Sequence, residues 1–225
     1  MLEERGPGIW TVTTPLKLAG AELGTRMTVV QIGGDGLALI APCPIGEALA
    51  AQLESIGTVR ALVAPNAFHH FYFLDAAKRY PDATCFLAEG VAAKLDKNRL
   101  EARTLGAEPD PLWKAELEQC RIEGAPASNE VVFYHAASRT LILTDLCFHF
   151  DPPPEGWTGI FLRIAGAYGR LAVSRLMRLV LRDRRKVRAS VERILAWDFD
   201  RIVVAHGNVV ARDGRRLFRE ATADL

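Results

Sequence analysis

The chain has 225 residues, 49% of them hydrophobic, with 28 basic against 27 acidic residues, a length that suits one large domain or two small ones. The balanced charge gives no global field that would favour nucleic acid or a membrane as the main partner. The four cysteines form no C-x-x-C pair, which argues against a disulfide framework. No secretory signal is visible, and no apolar stretch reaches the length of about 20 residues that a transmembrane helix needs. We therefore expect a cytoplasmic protein without a transmembrane segment.

Strand and helix patterns alternate through the first part of the chain. Two apolar runs flank the turn "GGDG" and predict a β-hairpin. Apolar residues at helical spacing predict a helix over residues 45–57, with Gly57 as its stop. The remaining predicted elements here are strands at 8–15, 59–65 and 83–88, a helix over 71–80 and a short helix over 90–99.

The second part of the chain begins with two strands, at 130–135 and 139–145, joined by a tight turn. The prolines of residues 152–157 exclude a helix or a central strand there. A helical pattern runs from 168 to 197 with a break near Asp183, and a last buried strand covers 199–207. No repeat or linker is visible, so we predict one domain over residues 1–225, built from two sheets packed face to face with helices outside.

Polar residues of the metal-ligating type directly follow three apolar strands. The segments are "LVAPNAFHHF", "LILTDLCF" and "IVVAHGN", and they contribute His69, His70, Asp145 and His206. Strand ends can converge at one edge of a sheet, and imidazole with carboxylate suits zinc, iron or manganese. The alternative is structural, because such histidines are often only hydrogen-bonded and an Asp commonly caps a turn.

The chain from about Ile9 to Asn208 resembles the metallo-β-lactamase superfamily. The resemblance is carried by "MTVVQIGGDGLALIAP", by "EVVFYHAASRTLILTD" and by the closing "FDRIVVAHG". More narrowly, the chain resembles a branch of that superfamily of unknown function with the motif P-N-x-x-H-H, which here runs from Pro65 to His70. The resemblance implies an α/β fold, the αββα four-layer sandwich.

The chain departs from the H-x-H-x-D-H motif of that superfamily. Asn66 and Phe68 stand where the first two histidines belong, and Gly124 stands at the position of a third histidine. Those three histidines bind the first metal in the superfamily, so the resemblance implies that this first metal site is lost. Phe68 would also place an aromatic ring where an ion normally lies.

The second metal site of the superfamily is better represented. We predict a single divalent metal held by His70, Asp145 and His206, with His69 as a fourth ligand or as a partner that orients a ligand. Zinc is the first choice and iron or manganese the alternatives; the other reading is that no metal binds. Because a metal lowers the pKa of bound water from about 15.7 towards about 7, Asp145 and His70 are the predicted catalytic residues of a hydrolase for an unknown small molecule. The alternative function is a non-catalytic binding protein that kept the scaffold.

Four further residues have predicted roles near this site. Asn66 is either a weak ligand or oxyanion donor that contacts substrate, or a residue that orders the turn after its strand. His149 lies four residues after Asp145 and is a candidate for substrate binding. His135 is predicted to be structural, and Cys147 to be a small buried residue, with a thiolate ligand as the alternative.

The stretch 169–188 carries eight arginine and lysine residues. A basic amphipathic helix can lie on an anionic membrane surface, or beside a phosphate or carboxylate substrate. The alternative is a helix packed over a sheet, with its arginines in solvent. Nothing aromatic is interleaved with the basic residues, which argues against nucleic acid.

Overall fold

The computed structural model describes residues 1–95 and 100–225. The strands of this part are β1 (Glu3–Gly6), β2 (Ile9–Thr14), β3 (Lys17–Leu18), β4 (Ala21–Glu22), β5 (Thr25–Ile32), β6 (Gly36–Ile40), β7 (Thr58–Ala64), β8 (Thr84–Leu87), β9 (Ala102–Thr104), β10 (Leu117–Arg121), β11 (Val131–His135), β12 (Thr140–Ile142), β13 (Phe148–His149), β14 (Leu171–Ala172) and β15 (Arg201–Val203). The helices are α1 (Glu47–Ile56), α2 (Phe73–Arg79), α3 (Gly156–Ala165), α4 (Arg175–Val180), α5 (Arg184–Leu195) and α6 (Gly214–Thr222).

The larger sheet has seven strands in the order β1-β2-β5-β6-β7-β8-β9. Its first four strands pair antiparallel, and β6 to β9 pair parallel. A parallel pair needs a long crossover connection, which α1 supplies between β6 and β7 and α2 supplies between β7 and β8. Both helices pack on β7 and so cover one face of this sheet.

The smaller sheet has four strands in the order β10-β11-β12-β15. Alternate residues of β11 enter different cores: Phe133 packs with residues of the larger sheet, whereas Val132 and Tyr134 pack with residues of α5 and α6. Successive strand residues point to opposite faces, so one face of this sheet meets the larger sheet and the other meets the helices. The predicted αββα four-layer arrangement is therefore confirmed.

Most predicted elements are confirmed within a residue or two of their bounds. β5 and β6 form the predicted hairpin, α1 ends at Gly57, and the predicted break near Asp183 separates α4 from α5. Asp183 caps α5, because its side chain accepts the backbone N–H of Lys186 at 3.2 Å. The break therefore arises from a polar residue that satisfies a free N–H at a helix start.

Three predictions about local structure were wrong. Gly156 and Trp157 belong to α3, although the prolines before them remain outside the helix. Residues 168–174 contain β14 rather than helix. Residues 90–95 form turns instead of the predicted helix, and residues 96–99 of that prediction lie outside the described residues. None of the described helices is long and apolar enough to cross a membrane.

Candidate metal centre

The loop after β7 is organised by the side chain of Asn66, which is fully buried. Its Oδ1 accepts the backbone N–H groups of Phe68 at 2.9 Å and of His69 at 2.8 Å. An Asn that accepts N–H groups two and three residues later forms a tight local turn. This turn fixes the backbone at His69, whose side chain is largely buried.

The loop after β12 is organised by Glu130, which is 1% exposed. Its carboxylate accepts three consecutive backbone N–H groups, from Thr144 at 2.8 Å, Asp145 at 3.0 Å and Leu146 at 2.8 Å. Asn66 reaches across from the other loop and donates its Nδ2 to Asp145 Oδ2 at 2.6 Å. Both the backbone and the carboxylate of Asp145 are therefore held in place.

The third loop follows β15 and carries His206, which is buried. Its Nδ1 lies 2.6 Å from the carbonyl oxygen of Gly24, and its ring stacks on Phe148 with centroids 5.1 Å apart. Arg26 donates to the carbonyl oxygens of Val204 and Gly207, at 2.5 and 2.6 Å. The larger sheet thus fixes the chain on both sides of His206.

The three loops bring two imidazoles and one carboxylate together. His69 Nε2 lies 3.2 Å from Asp145 Oδ2, and His206 Nε2 lies 3.4 Å from Asp145 Oδ1. One ligand atom from each of the three residues lies within 4.8 Å of the others. This spacing allows all three side chains to bind one cation.

The charges within this cluster shift the pKa values of its members. Burial alone would raise the pKa of Asp145, but the neighbouring imidazoles, His69 first and then His206, hold that pKa well below its usual range. Burial opposes the charged form of His69, yet Asp145 and more weakly Glu130 raise its pKa overall. Burial, together with the Asp145 carboxylate, raises the pKa of Glu130. The cluster therefore favours positive charge beside Asp145.

A family model described as "Domain of unknown function (DUF4336)" matches residues 7–156, which is about two thirds of the chain. The chain belongs to the DUF4336 family. No curated protein matches the sequence. The matched segment includes the loops of Asn66 and Asp145 but ends before His206. That the motif P-N-x-x-H-H is characteristic of the family stays a prediction.

The whole DUF4336 protein is similar to solved structures of the metallo-β-lactamase fold. A metallo-β-lactamase from Pontibacter korlensis matches with a TM-score of 0.66 and 13% identity, over 100% of this chain and 99% of that chain. FIM-1 from Pseudomonas aeruginosa, solved in a mono-zinc form, matches with 0.65 and 16%, over 100% and 93%. The flavodiiron core of Flv1 from Synechocystis, soaked with metal, matches with 0.66 and 15%, over 99% and 60%. At such low identity these likenesses show the fold alone.

His70, predicted as a principal ligand and catalytic residue, lies outside the cluster of His69, Asp145 and His206. Its ring stacks on Phe71 with centroids 4.9 Å apart, and its buried Nδ1 has no hydrogen-bond partner within residues 1–95 and 100–225. Burial, followed by the charge of Lys94, lowers its pKa. The turn made by Asn66 directs the side chain of His69 towards Asp145, and the side chain of His70, the next residue, points elsewhere.

Asn66 and His149 both have hydrogen-bonding roles within the chain, and their predicted contact with a substrate stays a prediction. Asn66 has no exposed surface, and it orders the turn after its strand, which is the alternative role predicted for it, while its Nδ2 holds Asp145. His149 binds the carbonyl oxygen of Asn208 through Nδ1 at 2.9 Å and lines a separate cavity. The structural role predicted for His135 agrees with its contact to Ser138 Oγ at 2.7 Å. Cys147 is fully buried and burial raises its pKa, so it packs as a small apolar residue.

Sequence patterns missed the residues that hold the cluster together. Glu130 precedes a buried strand, and no spacing in the sequence relates it to the loop of Asp145. The carbonyl group of Gly24 has no side-chain signature at all. A Glu before a buried strand is only a weak signal of a residue that supports a metal site. It becomes informative once the structure shows which loop its carboxylate contacts.

Phe68 does not occupy the space between the ligands. It is 37% exposed and lies on the wall of a cavity of about 410 Å³ that is also lined by His69, Asp145 and His206. Lys94 lies over its ring, 5.3 Å from the centroid. The ring therefore turns outwards, and the three ligand-type side chains face an open cleft.

The surroundings of Gly124, the residue that the resemblance predicts at the place of a third histidine, require a glycine. Its φ is +82°, and an added Cβ would lie 2.4 Å from the carbonyl oxygen of Asp183. The Gly124 carbonyl also accepts the N–H groups of Arg182 and Asp183, at 2.9 and 3.0 Å. A histidine does not fit here unless the Asp183 backbone moves, and the loss of the first metal site stays a prediction.

Substitution of Gly124 by alanine is expected to destabilise the fold by about 3 kcal/mol or more, because a left-handed φ and a backbone clash add together. Gly156→Ala is the matched control, since Gly156 has φ of +64° but nothing within 4 Å of the added Cβ. It should cost only about 1 kcal/mol. Urea denaturation of both variants measures the difference, and equal losses would contradict the clash at Gly124.

Proposed function

We propose that this protein binds one divalent metal through His69, Asp145 and His206 and uses it to hydrolyse a small molecule. The tautomer of His206 carries this proposal. A carbonyl oxygen only accepts, so the contact to Gly24 places the ring hydrogen on Nδ1 and leaves the lone pair of a neutral imidazole on Nε2. That lone pair faces Asp145 Oδ1 at 3.4 Å, and two acceptors at this distance need a proton or a cation between them.

The donor set fits a catalytic metal better than a structural one. Two histidines and one carboxylate are the ligands of several catalytic zinc sites and of non-haem iron sites, and such sets leave coordination positions open. A bound zinc would supply Lewis acidity and a water of lowered pKa. Iron or manganese suits the same donors, and zinc is our first choice.

The surrounding residues orient the ligands as outer partners do in known metal sites. Gly24 fixes the ring of His206, while Asn66 fixes one oxygen of Asp145 and the turn that bears His69. Glu130 fixes the backbone of Asp145. The ligand atoms are therefore oriented by the chain itself before any cation arrives.

Elemental analysis of protein purified without a metal-affinity column tests this proposal. We expect about one equivalent of metal in the unsubstituted protein and in His70→Ala, and less than about a tenth of an equivalent in His206→Ala. His70 is the matched control because it adjoins His69 and lies outside the cluster. Equal metal loss in both variants would contradict the ligand assignment.

A second candidate function is a non-catalytic binding protein that holds no metal. The raised pKa of His69 favours it, because a protonated His69 can form an ion pair with Asp145 at 3.2 Å without a cation. Unsubstituted protein that contains no metal, and whose unfolding ignores both chelator and added zinc, would support this candidate and refute the metal site.

A further inference from the structure

We propose that the cleft above the candidate metal centre binds the apolar chain of an amphiphilic substrate, such as an acyl or alkyl chain of medium length. The inference rests on the proposed function only for where the reaction occurs. Binding of the chain itself depends on the cleft walls and needs no metal. The two proposals can therefore be tested separately.

Aliphatic and aromatic side chains form the walls of this cleft. Leu16 and Leu23 contribute one side, Phe71 follows the loop of His69, and Leu176 and Val180 come from α4. The cavity of about 410 Å³ falls within the range of small-molecule sites. The polar cluster lies among these walls, so a hydrolysable bond at the cluster would leave the rest of a substrate against apolar surface.

The charged groups of the cleft argue against a phosphate-rich substrate. Among the described residues that line it, the only charged side chain apart from Asp145 and the two histidines is Lys17, which is paired with Glu22 at 2.8 Å. No arginine of the described chain lines it. A polyanionic ligand would therefore lack the guanidinium partners that such ligands usually have.

The two arginines of α4 face a different cavity. Arg175 and Arg178 line a separate cavity of about 520 Å³, whereas Leu176 and Val180 of the same helix line the cleft. Leu176 and Val180 are one helical turn apart and so lie on one side of α4, whereas Arg175 and Arg178 lie towards the other cavity. The α4 helix thus presents its basic side away from the cleft and its apolar side towards it.

Large apolar side chains surround the mouth of the cleft and remain in contact with solvent. Phe71 is 75% exposed, Leu176 63% and Leu18 49%, and all three line the cavity. Exposed apolar side chains gathered at one concave site mark a binding surface. A chain that enters here would remove them from water, which is the driving force for its binding.

Calorimetric titration with unbranched primary alcohols from hexanol to decanol tests the inference. The alcohols are uncharged and the protein is first treated with chelator, so binding does not depend on a metal. We expect the affinity to rise about fourfold for each added methylene, the factor that corresponds to about 0.8 kcal/mol per buried CH₂. Affinity that is independent of chain length would overturn the inference.

Two exposed leucines of α4 provide a matched pair of variants. Leu176 lines the cleft and is 63% exposed, whereas Leu179 is 80% exposed and is not among the lining residues. Leu176→Asp should weaken decanol binding by about tenfold or more, since a charge would stand beside the chain. Leu179→Asp should leave it within about twofold. Equal losses, or none in either variant, would place the binding outside the cleft and refute the inference.

The outcome separates the two proposals. Chain-length-dependent binding in a protein that holds no metal would keep the substrate class and refute the metal-dependent hydrolase. Metal binding at the cluster, together with alcohol affinities that do not change with chain length, would support the metal site and refute the substrate class.

Discussion

Replacement of Asp145 by asparagine is expected to remove the bound metal almost completely. Asp145 places its carboxylate between both imidazoles, at 3.2 and 3.4 Å from their Nε2 atoms. The amide has nearly the same shape but no charge, so the variant should fold and still lose metal affinity by at least about 100-fold. Elemental analysis measures the loss.

Added zinc provides a second measurement on the same variant. At a concentration 1,000 times its dissociation constant, a ligand that binds only the folded state stabilises that state by about 4 kcal/mol. Zinc should therefore raise the unfolding free energy of the unsubstituted protein, whereas the unfolding free energy of Asp145→Asn should not change when zinc is added. Asp75→Asn is the control, because Asp75 is exposed and pairs with the exposed Lys78. Undiminished stabilisation of Asp145→Asn would place the cation elsewhere.

Replacement of Glu130 by alanine is expected to cost about 3–5 kcal/mol of folding free energy. The substitution leaves the buried N–H groups of Thr144, Asp145 and Leu146 without their acceptor, and each unsatisfied buried group costs about 1–3 kcal/mol before the loop relaxes. Metal affinity should fall by about 10- to 100-fold as well, because the loop orients a ligand.

Urea denaturation and metal titration check the effect of Glu130→Ala. Glu192→Ala serves as control, since Glu192 is exposed on α5 and its loss should change stability by less than about 0.5 kcal/mol. If Glu130→Ala were as stable as this control, the three hydrogen bonds would not be what holds the loop of Asp145.

Much of the fold could be predicted from the sequence because its strands have clear periodic signals. The turn "GGDG" between apolar runs fixes the β5–β6 hairpin. Continuous apolar runs predicted β7, β11 and β15, because a strand that is covered on both faces is apolar throughout. The two cores on either side of β11 illustrate this, since Phe133 packs in one and Val132 in the other. The αββα arrangement, by contrast, came from the resemblance, since periodicity does not specify how sheets pack.

The candidate site was predicted in part. Asp145 and His206 lie in the loops that directly follow β12 and β15, and the end of an apolar strand is visible in the sequence. The choice between His69 and His70 depends on loop dihedrals that the hydrogen bonds of Asn66 set, and these are three-dimensional contacts. Helix α3 was missed for a related reason: three prolines mask a start at Gly156, whose φ of +64° lets the chain turn into the helix.

The candidate centre lies where the two sheets meet. His69 follows a strand of the larger sheet, whereas Asp145 and His206 follow strands of the smaller one. A cation held there would join the two halves of the sandwich directly, beside the bonds from Asn66 and Arg26 that already cross between them. Removal of the cation would then increase the rate of amide hydrogen exchange in both β7 and β15, rather than in one loop.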